Sequence, residues 1–291
     1  MAISRSQLVK ELEPGLNALF GLEYKNYANE HAEIFDTENS DRAFEEEVML
    51  SGFGNAAVKP EGQSVNYDAA QETFTARYTH ETLALAFSIT EEAIEDNLYD
   101  RLASRYTKAL ARSMANAKQV KAANVLNRAF NSSYTGGDGL ELCSTAHTIV
   151  AGTLNETSLE QALVDIGVMK DERGLKIAAK GVKMIVPNDL QFTAERLMKS
   201  AKRTGTADND INAVVSMGMI PQGYVVNHYL TDSDAWFIKT DVPNGLKHFV
   251  RAPIKTNMEG DFETGNVRYK ARERYSFGWS DPRGIFGSPG A

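Results

Sequence analysis

Cysteine is almost absent: Cys143 stands alone among 291 residues, so no intrachain disulfide can form and a thiolate metal cluster is excluded. Long apolar runs are missing too. Nothing approaches the roughly 20 apolar residues of a membrane-spanning helix, and the opening stretch MAISRSQLVKELEPGLNALFGLEYK has no apolar core of signal-peptide length. These absences predict a chain made and used in solution, with no membrane partner. An excess of positive charge is also lacking: 31 Lys and Arg face 39 Asp and Glu, for a net charge of -8. A dedicated nucleic-acid binder carries the opposite balance, because Lys and Arg must displace the counterions of the phosphates.

Between Thr90 and Phe130 there is neither Gly nor Pro, and Ala, Leu, Lys, Arg, Glu and Met supply most of the stretch. The composition predicts one helix over 90–130, about 60 Å long at ~1.5 Å per residue. Ser88 or Thr90 is its expected cap, and Ser88 with Glu91 has capping-box spacing. Acids Glu91, Glu92, Glu95 and Asp96 precede the bases Arg101, Arg105, Lys108, Arg112, Lys118, Lys121 and Arg128, the order that suits the helix dipole. Ile94, Leu98, Leu102, Tyr106, Leu110 and Met114 recur every four residues, so the apolar stripe drifts around a 3.6-residue helix and the helix changes partners along its length. A domain of this length has a diameter near 50 Å, less than the helix, which predicts an elongated subunit with surface for another copy to cover.

Upstream, residues 1–47 read as a peripheral arm. Leu8, Leu12, Leu16, Leu19 and Phe20 suggest an amphipathic helix broken at Pro14 and Gly15, and Glu45, Glu46 and Glu47 close an acid-rich segment. From Val48 to Ile89 the pattern is extended. Phe74, Ala76 and Tyr78 share one parity and Leu83, Leu85, Phe87 and Ile89 the other, so one long strand should change environment near residues 79–82, as part of a two-stranded tongue. Downstream, a helix from Ser158 with apolar Leu159, Ala162, Leu163 and Ile166 and a stop at Gly174, a strand over Val182–Val186, and a helix over Asp189–Lys202 with Phe192, Leu197 and Met198 inward describe an α+β lobe. Near the end, Val267, Tyr269, Ala271, Tyr275, Phe277 and Trp279 alternate with Arg268, Lys270, Arg272 and Arg274. That basic face reads either as a solvated sheet edge or as a charge match for Glu45, Glu46 and Glu47 of another copy.

Chemistry-bearing motifs fail. The Gly136–Gly139 loop lacks a G-K-[ST] ending. Asp208, Asp210 and Asn212 begin like a calcium loop, but Ala213 and Met219 occupy the positions of the turn Gly and the bidentate Glu. His31, His80, His147, His228 and His248 have no metal-ligand spacing, and no G-x-S-x-G elbow occurs. The expectation is no catalytic residue, no cofactor and no metal, although an enzyme assembled from distant residues stays open.

The order of parts resembles the major capsid proteins of tailed bacteriophages, with their Hong Kong 97 fold. The phrases FSITEEAIEDNLYDRL, GLKIAAKGVKMIVPNDLQFTAERLMKS, TDSDAWFIKT and TGNVRYKARERYSFGWSDPRGIFGS are similar to those of such proteins. The resemblance implies an α+β fold with an N-terminal arm (1–47), an extended loop (48–82), a peripheral domain with the spine helix (83–177), an axial domain (178–249) and returning strands (250–291). It implies hexamers and pentamers in an icosahedral head, and packaged double-stranded DNA touched without sequence-specific contacts. It further implies a portal and cement proteins, with assembly in the host cytoplasm into the virion capsid. Some members of the family carry a long N-terminal scaffolding segment, for which the arm here is too short and broken, so a separate scaffolding protein is expected. Lys59 lies where some relatives cross-link subunits. A cellular encapsulin-like compartment would share the fold.

Overall fold

The structure, a computed structural model, describes residues 5–90, 92–93, 99–147, 152–202, 210–261 and 263–290. In chain order the elements are helix α1 (Arg5–Asn26), strands β1 (Asp36–Asn39), β2 (Phe44–Ser51), β3 (Gln71–Thr79) and β4 (Glu81–Ile89), and the long helix α2 (Tyr99–Asn127). Then come α3 (Glu156–Gly167), β5 (Gly181–Pro187), α4 (Gln191–Lys199), α5 (Ala213–Met217), β6 (Tyr224–Asn227), β7 (Trp236–Thr240), β8 (Leu246–Gly260), β9 (Val267–Trp279) and β10 (Ile285–Ser288).

Ser88 lies inside β4, the Ala93 N–H donates to Thr90 Oγ1 at 3.4 Å, and the long helix is described from Tyr99 onward. Residues 91 and 94–98, which hold Glu91, Ile94, Glu95, Asp96 and Leu98 of the expected first turns, lie outside the described residues. At the other end α2 stops at Asn127, and a turn carries the chain through Phe130. Leu110 and Met114 are buried as the periodicity predicts, but Tyr106 is 49% exposed. The buried line of the helix is built mainly of alanine: Ala103, Ala111, Ala115, Ala122 and Ala123. Small side chains let neighbouring backbones approach, which a bulkier stripe would prevent.

One neighbour is α1, which runs unbroken through Pro14. A proline inside a helix removes a hydrogen bond and crowds the preceding turn, at a cost of about 3 kcal/mol. Pro14 points to solvent while Leu16 and Phe20, on the buried side, pack with Leu110, Ala111 and Met114. That packing holds α1 helical across its proline and corrects the expected break. Asn17 fastens α1 to the sheet beneath, its Oδ1 accepting from Thr256 Oγ1 (2.7 Å) and Tyr269 Oη (2.8 Å).

That sheet has the order β1-β8-β9-β4. Tyr269, Ala271 and Val267 of β9 and Ile89 of β4 face the α1 and α2 core. The second half of α2 serves another core: Ala122 and Leu126 meet Ile34, Phe35, Ile185, Phe237 and Ile285. The helix therefore does change partners. The lobe beyond is a second sheet, β10-β7-β5-β6, packed against α3 and α4 through Leu159, Leu163, Ile166, Ala194, Leu197, Met184 and Trp236. α3 thus shares its core with the second sheet. Asn155 caps α3, its side chain accepting from the Ser158 N–H, so the helix starts before Ser158 and stops at Gly167, ahead of Gly174. Phe192 is 67% exposed, not inward; Ala194 takes its place.

β2 and β3 form a separate two-stranded ribbon, the expected tongue. The long strand changes environment at His80, which separates β3 from β4. Since β2 begins at Phe44, the boundary between arm and loop expected at residue 47 lies inside this strand.

Candidate functional site

The nominated residues occupy three places: Arg268, Lys270, Arg272 and Arg274 on the outer face of the first sheet, Glu45, Glu46 and Glu47 at the root of the tongue, and Lys59 in its distal part. Arg268, Lys270 and Arg272 of β9 are exposed and Arg274 is half-buried, all on the face turned away from α1 and α2. β9 pairs with β8 on one side and β4 on the other. The basic row therefore runs down the middle of the sheet, which overturns the reading as a sheet edge. Opposite Arg272 stands Lys255, also exposed, and like charges directly across a ladder repel. On the β4 side the row is bordered by Thr82, Ala84, Ala86 and Ser88, all exposed and short. Arg268 pairs with Asp261. Among the described residues, Lys270 and Arg272 form no ion pair.

The three acids are engaged inside the chain. Glu46 lies 3.7 Å from Arg77. Glu47 accepts from Lys247 and from Ser280, and Lys247 also reaches Glu38 at 3.0 Å. Glu45 accepts from Ser40 Oγ at 2.7 Å. The same Ser40 oxygen sits 2.8 Å from His80 Nε2, and His80 Nδ1 sits 3.0 Å from Ser276 Oγ. Ser40 has one proton and gives it to Glu45, so the Nε2–H donates to Ser40 and Nδ1 accepts from Ser276. Burial, with help from Arg274, holds His80 below its ordinary pKa, and the ring stays neutral. The arrangement is unlike a hydrolytic triad: the carboxylate orients a serine, and no carboxylate orients the imidazole.

Around these networks the tongue lies flat on the body. A Cβ added to Gly137 would come within 2.6 Å of the Thr75 carbonyl oxygen, and one on Gly278 within 2.8 Å of Tyr78 Cε1, so β3 is seated on two glycines. Tyr78 in turn packs edge to face on Phe249 at 4.8 Å. Farther out, Arg173 donates to the Ala69 carbonyl at 2.6 Å. Beyond that point the tongue exposes Phe53, Val58, Val65 and Tyr67, the last two of the four at 62% and 98%. Lys59 is exposed there, just before a turn closed by the Gln63 N–H and the Pro60 carbonyl.

Sequence reasoning missed the pairing of His31 with His248, which lie 217 positions apart in the chain and meet only in the fold. It also missed Arg251, whose role depends on a β-bulge that no local pattern announces. Among the described residues no group of His, Cys, Asp and Glu is placed to hold a metal ion, and no helix is long and apolar enough to cross a membrane. His147 is engaged with Asp138 at 2.8 Å. Burial raises the Cys143 thiol far above its ordinary value, which leaves it protonated and a poor nucleophile. Asn212 of the failed calcium motif caps α5.

No curated protein matches the chain. Among solved structures, the capsid of the empty GTA particle is similar at 12% identity and a TM-score of 0.59, covering 90% of each chain. The capsid of the cyanophage P-SCSP1u is similar at 11% identity and 0.59, over 89% of this chain and 86% of that one. The virus-like particle from Pyrococcus furiosus follows at 12% identity and 0.53, over 94% and 97%. At such identities the likeness concerns the fold, which is the α+β Hong Kong 97-like architecture. The family model described as phage capsid protein matches residues 72–287, a span from β3 to β10 that takes in the second sheet, the first sheet apart from β1, the long helix and the basic row, and the chain therefore belongs to the phage capsid protein family.

Proposed function

We propose that this chain is the major capsid protein that builds the icosahedral head shell of a tailed double-stranded DNA bacteriophage, by self-association into hexamers and pentamers. The observation that carries the reading is the tongue. Its distal half presents Phe53, Val58, Val65 and Tyr67 to solvent, apolar area that a lone subunit gains nothing by exposing and that a neighbour can cover. A two-stranded ribbon is marginal by itself, so contact with another copy also stabilises it. Lys270 and Arg272, free of ion pairs among the described residues, supply the charge side of such contacts. Many weak contacts per copy sum to a durable shell.

In this reading the protein is structural and catalyses nothing. Residues 1–47 act as the arm, 48–82 as the extended loop, 83–177 as the peripheral domain, 178–249 as the axial domain and 250–291 as the strands that return through both. Assembly takes place in the host cytoplasm with a separate scaffolding protein and a portal, cement proteins join the shell, and the packaged DNA is enclosed without sequence-specific contacts. Electron microscopy of the expressed protein, with and without the neighbouring phage genes, tests it. Closed shells are expected; material that stays monomeric under both conditions overturns the proposal.

A further inference from the structure

At the tongue root the basic row ends in two arginines that own no carboxylate. Val250 pairs with Tyr275 and Ala252 with Arg274, so Arg251 is the extra residue of a bulge, and a bulge re-aims the side chain it carries. Both arginines are half-buried. The Nε of Arg251 and the Nε of Arg274 are each shielded from solvent without a hydrogen-bond partner. Arg274 reaches one acceptor, the Ala43 carbonyl, from Nη2 at 3.5 Å. Among the described residues neither guanidinium forms an ion pair. Both lie near enough to act on His80, as does Glu45, whose Oε1 accepts from Ser40 and which forms no ion pair with either arginine among the described residues.

Two like charges with shielded, unanswered donors disfavour an isolated subunit. The group that answers a guanidinium best is a carboxylate, whose two oxygens match the donor fork. The chain carries 39 acidic against 31 basic residues, so in a shell the carboxylates in greatest supply belong to other copies. The place is continuous with exposed Arg272 and Lys255, which extend the same field along the sheet. We propose that Arg251 and Arg274 form the receptor for a side-chain carboxylate of a second copy of this chain, completed by assembly and not by folding. The proposal rests on the shell-subunit reading above.

The test uses wild type and Arg251→Gln, each prepared as dissociated subunits and under shell-forming conditions. Dissociated R251Q is expected to melt at or above the wild-type temperature, because an unanswered charge is removed, while its shell yield falls about tenfold with the loss of a charged interface contact. Cryo-electron microscopy of wild-type shells is expected to place a carboxylate of a neighbouring copy against Arg251. Wild-type shells in which Arg251 meets only solvent or its own chain overturn this inference and leave the shell reading standing, as does unaltered R251Q assembly. A lower melting temperature for dissociated R251Q would assign Arg251 to the fold, and stabilisation of dissociated wild type by inorganic phosphate, absent in R251Q, would make this a small-anion site; either overturns the inference. A wild type that forms no shells overturns both readings.

Discussion

The rings of His31 and His248 meet edge to face, their centroids 5.3 Å apart and their planes at 86°, with Phe277 stacked on His248 at 4.3 Å. Gln119 of α2 fixes His31, accepting its backbone N–H at 3.0 Å and donating to its Nδ1 at 2.9 Å, so this ring is neutral.

Acid should loosen that joint. Burial and then Lys118 lower His31 from 6.5 to about 4, and burial, Lys118 and His31 lower His248 from 6.5 to about 3. Folded values below unfolded ones mean that the unfolded chain binds more protons in between. The stability these rings contribute is complete above pH 6.5 and is lost as the pH falls towards about 4 and below. Glu273, raised by burial, titrates in the opposite sense and softens the fall; Tyr24 and Tyr275, its other close partners, stay protonated. Thermal melts of dissociated subunits from pH 7 to pH 4 should show a decline on the order of 2 kcal/mol. His248→Phe keeps the stack on Phe277 and should make the decline shallower, leaving the part that His31 supplies.

Lys247 offers a second test. Its side chain is 6% exposed and lies between Glu38 and Glu47. Lys247→Met leaves two carboxylates facing each other, and urea unfolding should show a loss of about 2 kcal/mol, below the full cost of breaking a buried pair because Glu38 is 49% exposed.

The glycine seat of the tongue is equally exacting. Gly278→Ala forces a Cβ to 2.8 Å from the Tyr78 ring. Overpacking of this kind costs about 1–3 kcal/mol. Limited proteolysis should cut the β2–β3 ribbon faster in the variant, whereas Gly260→Ala, with nothing within 4 Å, should be cut at the wild-type rate.

Along the long helix, Ala111→Leu inserts bulk at a position with 0% exposure against α1. The expected loss is about 1–3 kcal/mol, read as a lower melting temperature of the dissociated subunit.

Much of this architecture is legible in the residues themselves. The parity change between Tyr78 and Leu83 marks the switch from ribbon to sheet, and Leu159, Ala162, Leu163 and Ile166 are all buried on one side of α3. What local pattern could not convey is what lies opposite each residue. Tyr106 and Phe192 are apolar at helical spacing yet face outward, and the alanines of α2 bury a face that hydrophobicity alone underrates. The alternation of β9 shows two faces but not two flanking strands, so its place in the sheet depends on residues 80–90 and 246–260. Pro14 breaks isolated helices, but packing against α2 outweighs that tendency. Of the nominated contacts, the sequence displays the basic row openly, while the partners of Glu45, Glu46 and Glu47 come from Ser40, Arg77 and Lys247, brought there by folding.

His80 is the single residue between a ribbon strand and a main-sheet strand, and β4 is held to β9 along its whole length. The tongue's other end is joined to the same sheet through residues 40–43, between β1 and β2, so its direction is tied to the sheet at two neighbouring points. Subunits set at different local curvatures, at a five-fold vertex or on a flat facet, must share one mechanical adjustment between reach and twist, with the short polar chain around His80 as its fulcrum.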